Sequence, residues 1–478
     1  MISRETVPEL TGRYAFETTH IAPDAKSVRF YSRAISRTLD GQAFAEWPNS
    51  TAVRVGGREF VFPRAVRPFT NQIDLEAGIY NAPEDYVSDI PLMERVGEET
   101  IYKKTLLRSI PGKVVFEDPR ISTLILGPGQ DPVILLSFTE YLPKEGKIRN
   151  RAVELELGED GIFLPPKVDE NGRPIGIINL SPEGLDAKNG TLYVDDEGQV
   201  VLRTRMRGFD LCPNYAEQVW VFKDWKEFLA YQKEWKGWHT DLTEGSKHED
   251  GAIKPNPRRV RPVRAHIAAT EASFPEFYPQ DQLAIRTPGA KRKNIHESPH
   301  FRGFGPGTRP VRIAREGDQL YFSDGKFATQ HFAGRIPSEL LDTFVVPDGE
   351  VRTLTFDHQL RVLHKQVESM KLPRRVYSAT LKLWNAGADR IELLYSDAIQ
   401  PVTPSSRGGG IPDLEHVYPE GWVDVPAESP DAPARLALYA GVADASTERI
   451  LIDLLALLAE MSGDSPRKKT GQVAPPLV

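Results

Sequence analysis

The stretch Thr51–Val66, "TAVRVGGREFVFPRAV", sets a β-rich run, a Gly-Gly turn and a second β-rich run in succession. That pattern reads as a hairpin in miniature. The same texture fills the chain from Ala52 to Val201, in "VILLSFTEY", "RAVELEL" and "GTLYVDDEGQVVLRTRM", and continues in "QVWVFKDW". Helical periodicity is nearly absent there. After the middle of the chain the β texture returns, in "RPVRIAREGDQLYFSDGK", "RTLTFDHQLRVLHKQV", "VYSATLKLW" and "ARLALYAGV". Many short strands in recurring strand–turn–strand units predict an all-β protein: a barrel, a double sandwich or a propeller. No exact internal repeat and no WD or kelch signature selects among the three.

The composition bounds the function classes. A chain of 478 residues has room for a sizeable core. The net charge of -7 argues against a nucleic-acid partner for the chain as a whole. Cys212 is the single cysteine, which excludes an intramolecular disulfide framework and any multi-cysteine metal site. The start "MISRETVPEL" has no apolar core of the secretory kind, and no apolar run reaches membrane-spanning length. The expectation is a cytoplasmic protein with no membrane partner.

Two segments depart from the β texture. Between Trp235 and Arg302 the chain is polar and Pro-punctuated, with a Lys/Arg/Pro run from Lys254 to Arg264, and reads as a long insertion or lid over about 236–300. Near the C-terminus, "ASTERILIDLLALLAEMSG" predicts a helix. Ser446 or Thr447 would be its N-cap, Ile450, Leu454, Leu457, Leu458 and Met461 its packed face, and Gly463 its stop. Residues 463–478 read as a mobile tail.

The usual catalytic motifs are missing. No HExxH or paired Cys/His spacing occurs, and His358 and His364 lie too far apart for one helix face, so no metal is expected. No G-x-S-x-G elbow occurs, and "GFGPGTRP" lacks the ending of a phosphate loop and reads as a turn.

Carboxylates remain. In "VVFEDPRIS", Val114–Ser122, two acids, a proline and an arginine interrupt two β-branched runs. Strand alternation puts Glu117 and Asp118 on opposite faces, so they would form no dyad with each other. Pro119 removes a ladder donor and marks an edge or a bend, where a side chain can be aimed into a cleft. The planar fork of Arg120 can hold one of the carboxylates. A bent edge strand with a surface ion pair satisfies the same spacing.

"FEDPRIS" resembles the "EDPRIT" signature of glycoside hydrolase family 130, β-mannoside phosphorylases and mannosidases built as five-bladed β-propellers. "WPNSTAVRVGGREFVFPRAV" is similar to that family's first blade, "AKNGTLYVDDEGQVVLRTR" to its "KDxALFP…GKYxMLHR" segment, and "LALYAGVADASTERILIDLLALL" to its closing strand and helix. The matches run in order from about Phe44 to Met461, with 235–300 unmatched.

The resemblance implies a five-bladed propeller over 41–462, with a C-terminal helix, the long insertion, and an N-terminal extension over 1–40. It implies Asp118 as general acid, its proton relayed through a hydroxyl of the bound mannose. Asn49, Ser50, Arg64, Glu117, Arg120 and Asp444 would bind or support the sugar. Lys188, Arg205 and Arg151 would hold phosphate, a co-substrate rather than a cofactor. Two departures stand against phosphorolysis: Thr204 and the pair Ser323 and Asp324 occupy places where histidines are expected. A hydrolase would instead need a Glu base, for which Glu140 and Glu217 are candidates. The expected partner is thus an oligosaccharide or glycoside, with assembly into a homo-oligomer left open. A glycan-binding propeller without catalysis is the reading from another class. Among the tryptophans, Trp220 and Trp225 read as core or strand-edge packing, and Trp235 and Trp238 as candidates for stacking on a pyranose.

Overall fold

The computed structural model describes residues 28–30, 38–39, 42–43, 49–66, 87–97, 99–181, 187–206, 216–232, 303–363, 374–385, 390–396, 446–462, and 417–442 apart from a few positions between 427 and 433. The insertion at 236–300 and the tail beyond Ser462 lie outside them, as do Trp235, Trp238, Gly463 and Asp444.

Five antiparallel sheets form the blades of a propeller. The first holds Thr51–Val55, Arg58–Phe62, Ala65–Val66, Ser88–Val96 and Glu99–Leu107. The second runs outward from Val115–Leu124 through Val133–Leu142 and Lys147–Glu154 to Ile178–Asn179. The third holds Ala187–Val194, Val200–Met206 and Ala216–Phe222. A seven-stranded sheet between Gly303 and Ser396 makes the fourth, with Val311–Glu316 and Val351–Leu363 at its centre. The fifth holds Val417–Val425, Arg435–Val442 and Ser446–Asp453.

Hydrophobic wedges join the blades. Phe60 and Phe62 of the first blade pack with Phe116 and Phe138 of the second around Phe163. Leu124 and Leu135 meet Leu192, Leu202 and Trp220 between the second and third. Val311, Phe356 and Leu381 of the fourth meet Trp422, Leu438 and Ile450 of the fifth. The two faces of one strand feed different wedges: Ile134, Leu136 and Phe138 pack in the first and Leu135 in the second. Trp220 is therefore core, and Trp225 packs on Phe228 in a short helix, Trp225–Tyr231, capped by the Asp224 carboxylate.

Ring closure joins the two ends of the chain. Val28–Phe30, within the segment read as an extension, pairs with Ser446–Asp453 as the outer strand of the fifth blade. The buried Glu59 carboxylate of the first blade accepts from Arg449 Nε at 2.9 Å and from the Tyr439 hydroxyl, both on the fifth.

The C-terminal helix begins later than expected. Ser446–Asp453 is a strand, and the helix spans Leu454–Ser462 with Asp453 Oδ1 accepting from Ala456 N at 2.8 Å. The β-branched run "TERILI" pairs with Arg435–Val442, and that ladder outweighs the helical spacing of Ile450 and Leu454. Leu454, Leu457, Leu458 and Met461 do form the buried helix face. No helix among the described residues is long and apolar enough to cross a membrane.

Candidate active site

Three inner strands carry a bulge at equivalent depth, and the bulges build the site. On Val115–Leu124, Asp118 and Pro119 stand opposite Phe138 alone, because Arg120 pairs with Ser137 and Glu117 with Thr139. On Ala187–Val194, Asn189 and Gly190 stand opposite Thr204 alone. On Val417–Val425 the extra residue is Glu420. Asp118 and Asn189 take the left-handed conformation, with φ 48° and 59°. Asn and Asp are the non-glycine residues that enter this region most readily. Pro119 costs no hydrogen bond, since its strand is the inner edge of its sheet.

The bulge overturns one expectation. Glu117 and Asp118 do not face apart: Arg64 Nη2 donates to Glu117 Oε1 at 2.7 Å, and Arg64 Nη1 donates to Asp118 Oδ1 at 3.1 Å. One guanidinium from the first blade therefore holds both carboxylates, as its two-pronged shape permits. The fork expected from Arg120 is turned elsewhere. Arg120 Nη2 lies 2.7 Å from Glu420 Oε2, and its Nη1 donates to the Gly307 carbonyl. This fully buried pair ties the second blade to the fifth.

Around Asp118 the other expected residues assemble. Asn49, itself left-handed at φ 53°, donates Nδ2 to Asp118 Oδ1 at 2.8 Å. Lys188 Nζ lies 3.8 Å from Asp118 Oδ2. Ser50 is buried and its hydroxyl meets that of Thr447 at 2.7 Å, so it braces the first blade against the fifth. Asp444 lies outside the described residues; a side chain at Gly441 would collide with Asn49. Burial pushes the Asp118 carboxyl up. Arg64, Lys188, the Asn49 hydrogen bond and Arg120 outweigh that and hold it at about 2.

Arg205 stands directly across the ladder from Lys188, which places the two cations on one face. Asp118 Oδ2 lies beside Lys188, and Glu217 stands across the other ladder from Arg205. Arg151 is not part of this group. It gathers with Arg149 and Arg173 around the buried Glu140 carboxylate, to which Arg173 Nε donates at 2.8 Å and Nη2 at 3.0 Å. A carboxylate committed to three guanidiniums is poorly placed to serve as a base. The side chain of Glu217 lies outside the described residues.

At the positions where the resemblance implies histidines, Thr204 accepts from Asn150 Nδ2 at 2.8 Å, and Asp324 lies 3.9 Å from Arg309. Sequence reasoning missed Glu420, which the tertiary structure brings to Arg120, and weighed His358 only as a metal ligand, whereas the fold brings it to Arg205. No spacing signal marks either. Among the described residues no cluster of three or more His, Cys, Asp or Glu side chains could hold a metal ion.

No sequence profile of a known family matches the chain, and no curated protein does. Solved structures do. A mannose phosphorylase from Leishmania mexicana in complex with phosphate is 13% identical, with 86% of this chain and 84% of that one covered and a TM-score of 0.41. A β-1,2-mannobiose phosphorylase from Listeria innocua is 10% identical over 91% and 99% of the two chains, TM-score 0.38. A glycosyl hydrolase from Bacteroides ovatus is 12% identical over 90% and 91%, TM-score 0.39. These structural neighbours of the propeller are mannoside phosphorylases and a related glycosidase, each at low identity.

Proposed function

We propose that this protein is a carbohydrate-active enzyme that cleaves a β-mannosidic or related glycosidic bond with inversion, using phosphate as nucleophile and Asp118 as general acid. One observation carries the reading: a buried carboxylate bound by Asn49, Arg64 and Lys188, with Arg205 across the ladder from Lys188. The chemistry follows from the charges. A carboxyl held at about 2 is ionised at neutral pH and has no proton to give. A phosphate dianion beside Lys188 and Arg205 offsets the cations that keep Asp118 ionised, which raises its proton affinity as the nucleophile arrives.

Asp118 then takes up a proton from solvent and passes it, through a sugar hydroxyl, to the glycosidic oxygen. A phosphate oxygen bonds to the anomeric carbon as the bond to the leaving sugar breaks. The products are an inverted sugar 1-phosphate and a sugar with a free hydroxyl. Arg64 and Glu117 keep the Asp118 carboxylate in one orientation, which counts because small misplacements at a reacting centre are costly.

Incubation with β-linked oligomannosides, with and without inorganic phosphate, tests this. Sugar 1-phosphate formed only with phosphate supports the reading. Free sugar at equal rates in both makes the enzyme a hydrolase. Binding without turnover makes it a glycan-binding propeller.

A further inference from the structure

Asn49, Ser50 and Thr51 enter the first blade in succession, all buried, and each reaches a different neighbour. Asn49 donates Nδ2 to Asp118 Oδ1 at 2.8 Å. The Ser50 hydroxyl meets that of Thr447, on the fifth blade, at 2.7 Å. Thr51 Oγ1 accepts from Ile121 N at 3.3 Å, on the same strand as Asp118. Thr447 stands directly across the ladder from Gly441, so the two share one face of the fifth blade. Asn49 lies over the glycine: a methyl group there would collide with its Oδ1 and crowd its backbone. Ser50 lies over the threonine. On its other side the strand of Thr447 is paired by the N-terminal strand, with Phe30 opposite Thr447, so the threonine sits in a ladder bonded along both edges.

Asn49 holds the left-handed conformation at φ 53°, which a residue with a side chain keeps only where its surroundings fix it. Gly441 limits where its amide can lie, and the Ser50–Thr447 bond fixes the residue that follows it. The direction of Asn49 Nδ2, and with it the Asp118 oxygen it meets, is set from the fifth blade. We infer that Thr447 is a positioning residue for Asp118, acting through Ser50 and the left-handed Asn49 to hold the carboxylate in its reacting orientation. The inference rests on the proposed function for Asp118 being the group that reacts.

The test compares wild type, Thr447→Val, Thr447→Ser and Ser50→Ala, each with and without Asp118→Asn. Urea unfolding between pH 7 and 3 reads the ionisation of Asp118 in each background, whether or not a glycoside is turned over. The kcat on a β-linked oligomannoside with phosphate reads its orientation. Thr447→Val keeps the branched shape and removes the hydroxyl. The Asn49 hydrogen bond should then loosen, so Asp118, still facing Arg64, Lys188 and Arg120, should titrate above about 2. The pH-dependent part of the gap to the Asp118→Asn partner should be smaller and vanish at higher pH than in wild type. The kcat should fall about tenfold or more, with little change in the phosphate KM. Thr447→Ser restores the hydroxyl and should return the pH dependence and bring kcat within about threefold of wild type. Ser50→Ala breaks the same bond from the other side, should show both effects, and serves if Thr447→Val fails to fold. Adding Thr447→Val to Ser50→Ala should change neither readout further. A lower urea midpoint with the pH dependence and kcat of wild type would make the pair a purely structural tie and overturn the inference. A shifted pH dependence restored by Thr447→Ser, in a protein that turns over no glycoside, would support Thr447 while removing the reading of Asp118 as a glycosidic acid.

Discussion

Replacing Asp118 by asparagine separates its charge from its shape. Asparagine tolerates the left-handed backbone at φ 48° and can still accept from Asn49 and Arg64, so the bulge should persist. What is lost is the ionised carboxylate. Its pKa falls from 3.8 to about 2 on folding, which corresponds to about 2 kcal/mol of stability at neutral pH. The sign is fixed by the depression: the contribution is complete above the unfolded value and fades as pH drops toward the folded one. About half should remain at pH 3.

Urea unfolding of wild type and Asp118→Asn at several pH values between 7 and 3 measures the difference, and carboxylates common to both cancel. The gap should be about 2 kcal/mol at pH 7 and close to about 1 kcal/mol at pH 3. Turnover should fall by about 10²- to 10⁴-fold, the ordinary contribution of a general acid. A gap that does not change with pH would show that the cations around Asp118 do not act as argued. Turnover within a few-fold of wild type would refute the acid assignment.

Three further outcomes follow from the same geometry. Arg64→Lys cannot bridge Glu117 and Asp118 with one ammonium, and kcat/KM on an oligomannoside should fall by roughly 10- to 100-fold with little change in phosphate affinity. Lys188→Met should raise the phosphate KM about tenfold or more while glycoside KM moves less, since it removes one of two paired cations. Glu420→Gln leaves the buried Arg120 charge without its ion-pair partner and should lower unfolding free energy by about 3–5 kcal/mol, read from the urea midpoint.

The parts legible in the sequence were those governed by local rules. β-rich hydrophobic runs such as Val133–Leu142 and Val200–Met206 dictate strands whose faces fill the wedges between blades. Asn49, Arg64, Asp118, Lys188 and Arg205 could be named as candidates because the motifs around them stand in order along the chain. Alternation was also the source of the error at Glu117 and Asp118. Period-two reasoning assumes an unbroken ladder, and the bulge at Asp118–Pro119 adds a residue to one side. In the same way "TERILI" carries helix spacing and strand propensity together, and its pairing with Arg435–Val442 decides between them.

By itself the sequence determined an all-β chain, because strand propensity and turn chemistry are local properties. Which charges meet was decided only by the tertiary structure. Arg120 and Glu420 are 300 positions apart in the numbering, and Arg205 and His358 lie on different blades. Such partners are chosen by how the five sheets converge on a common axis, where each buried charge must find whichever counter-group the neighbouring blade presents. That convergence sets Glu420 rather than Asp118 on Arg120, and His358 on Arg205.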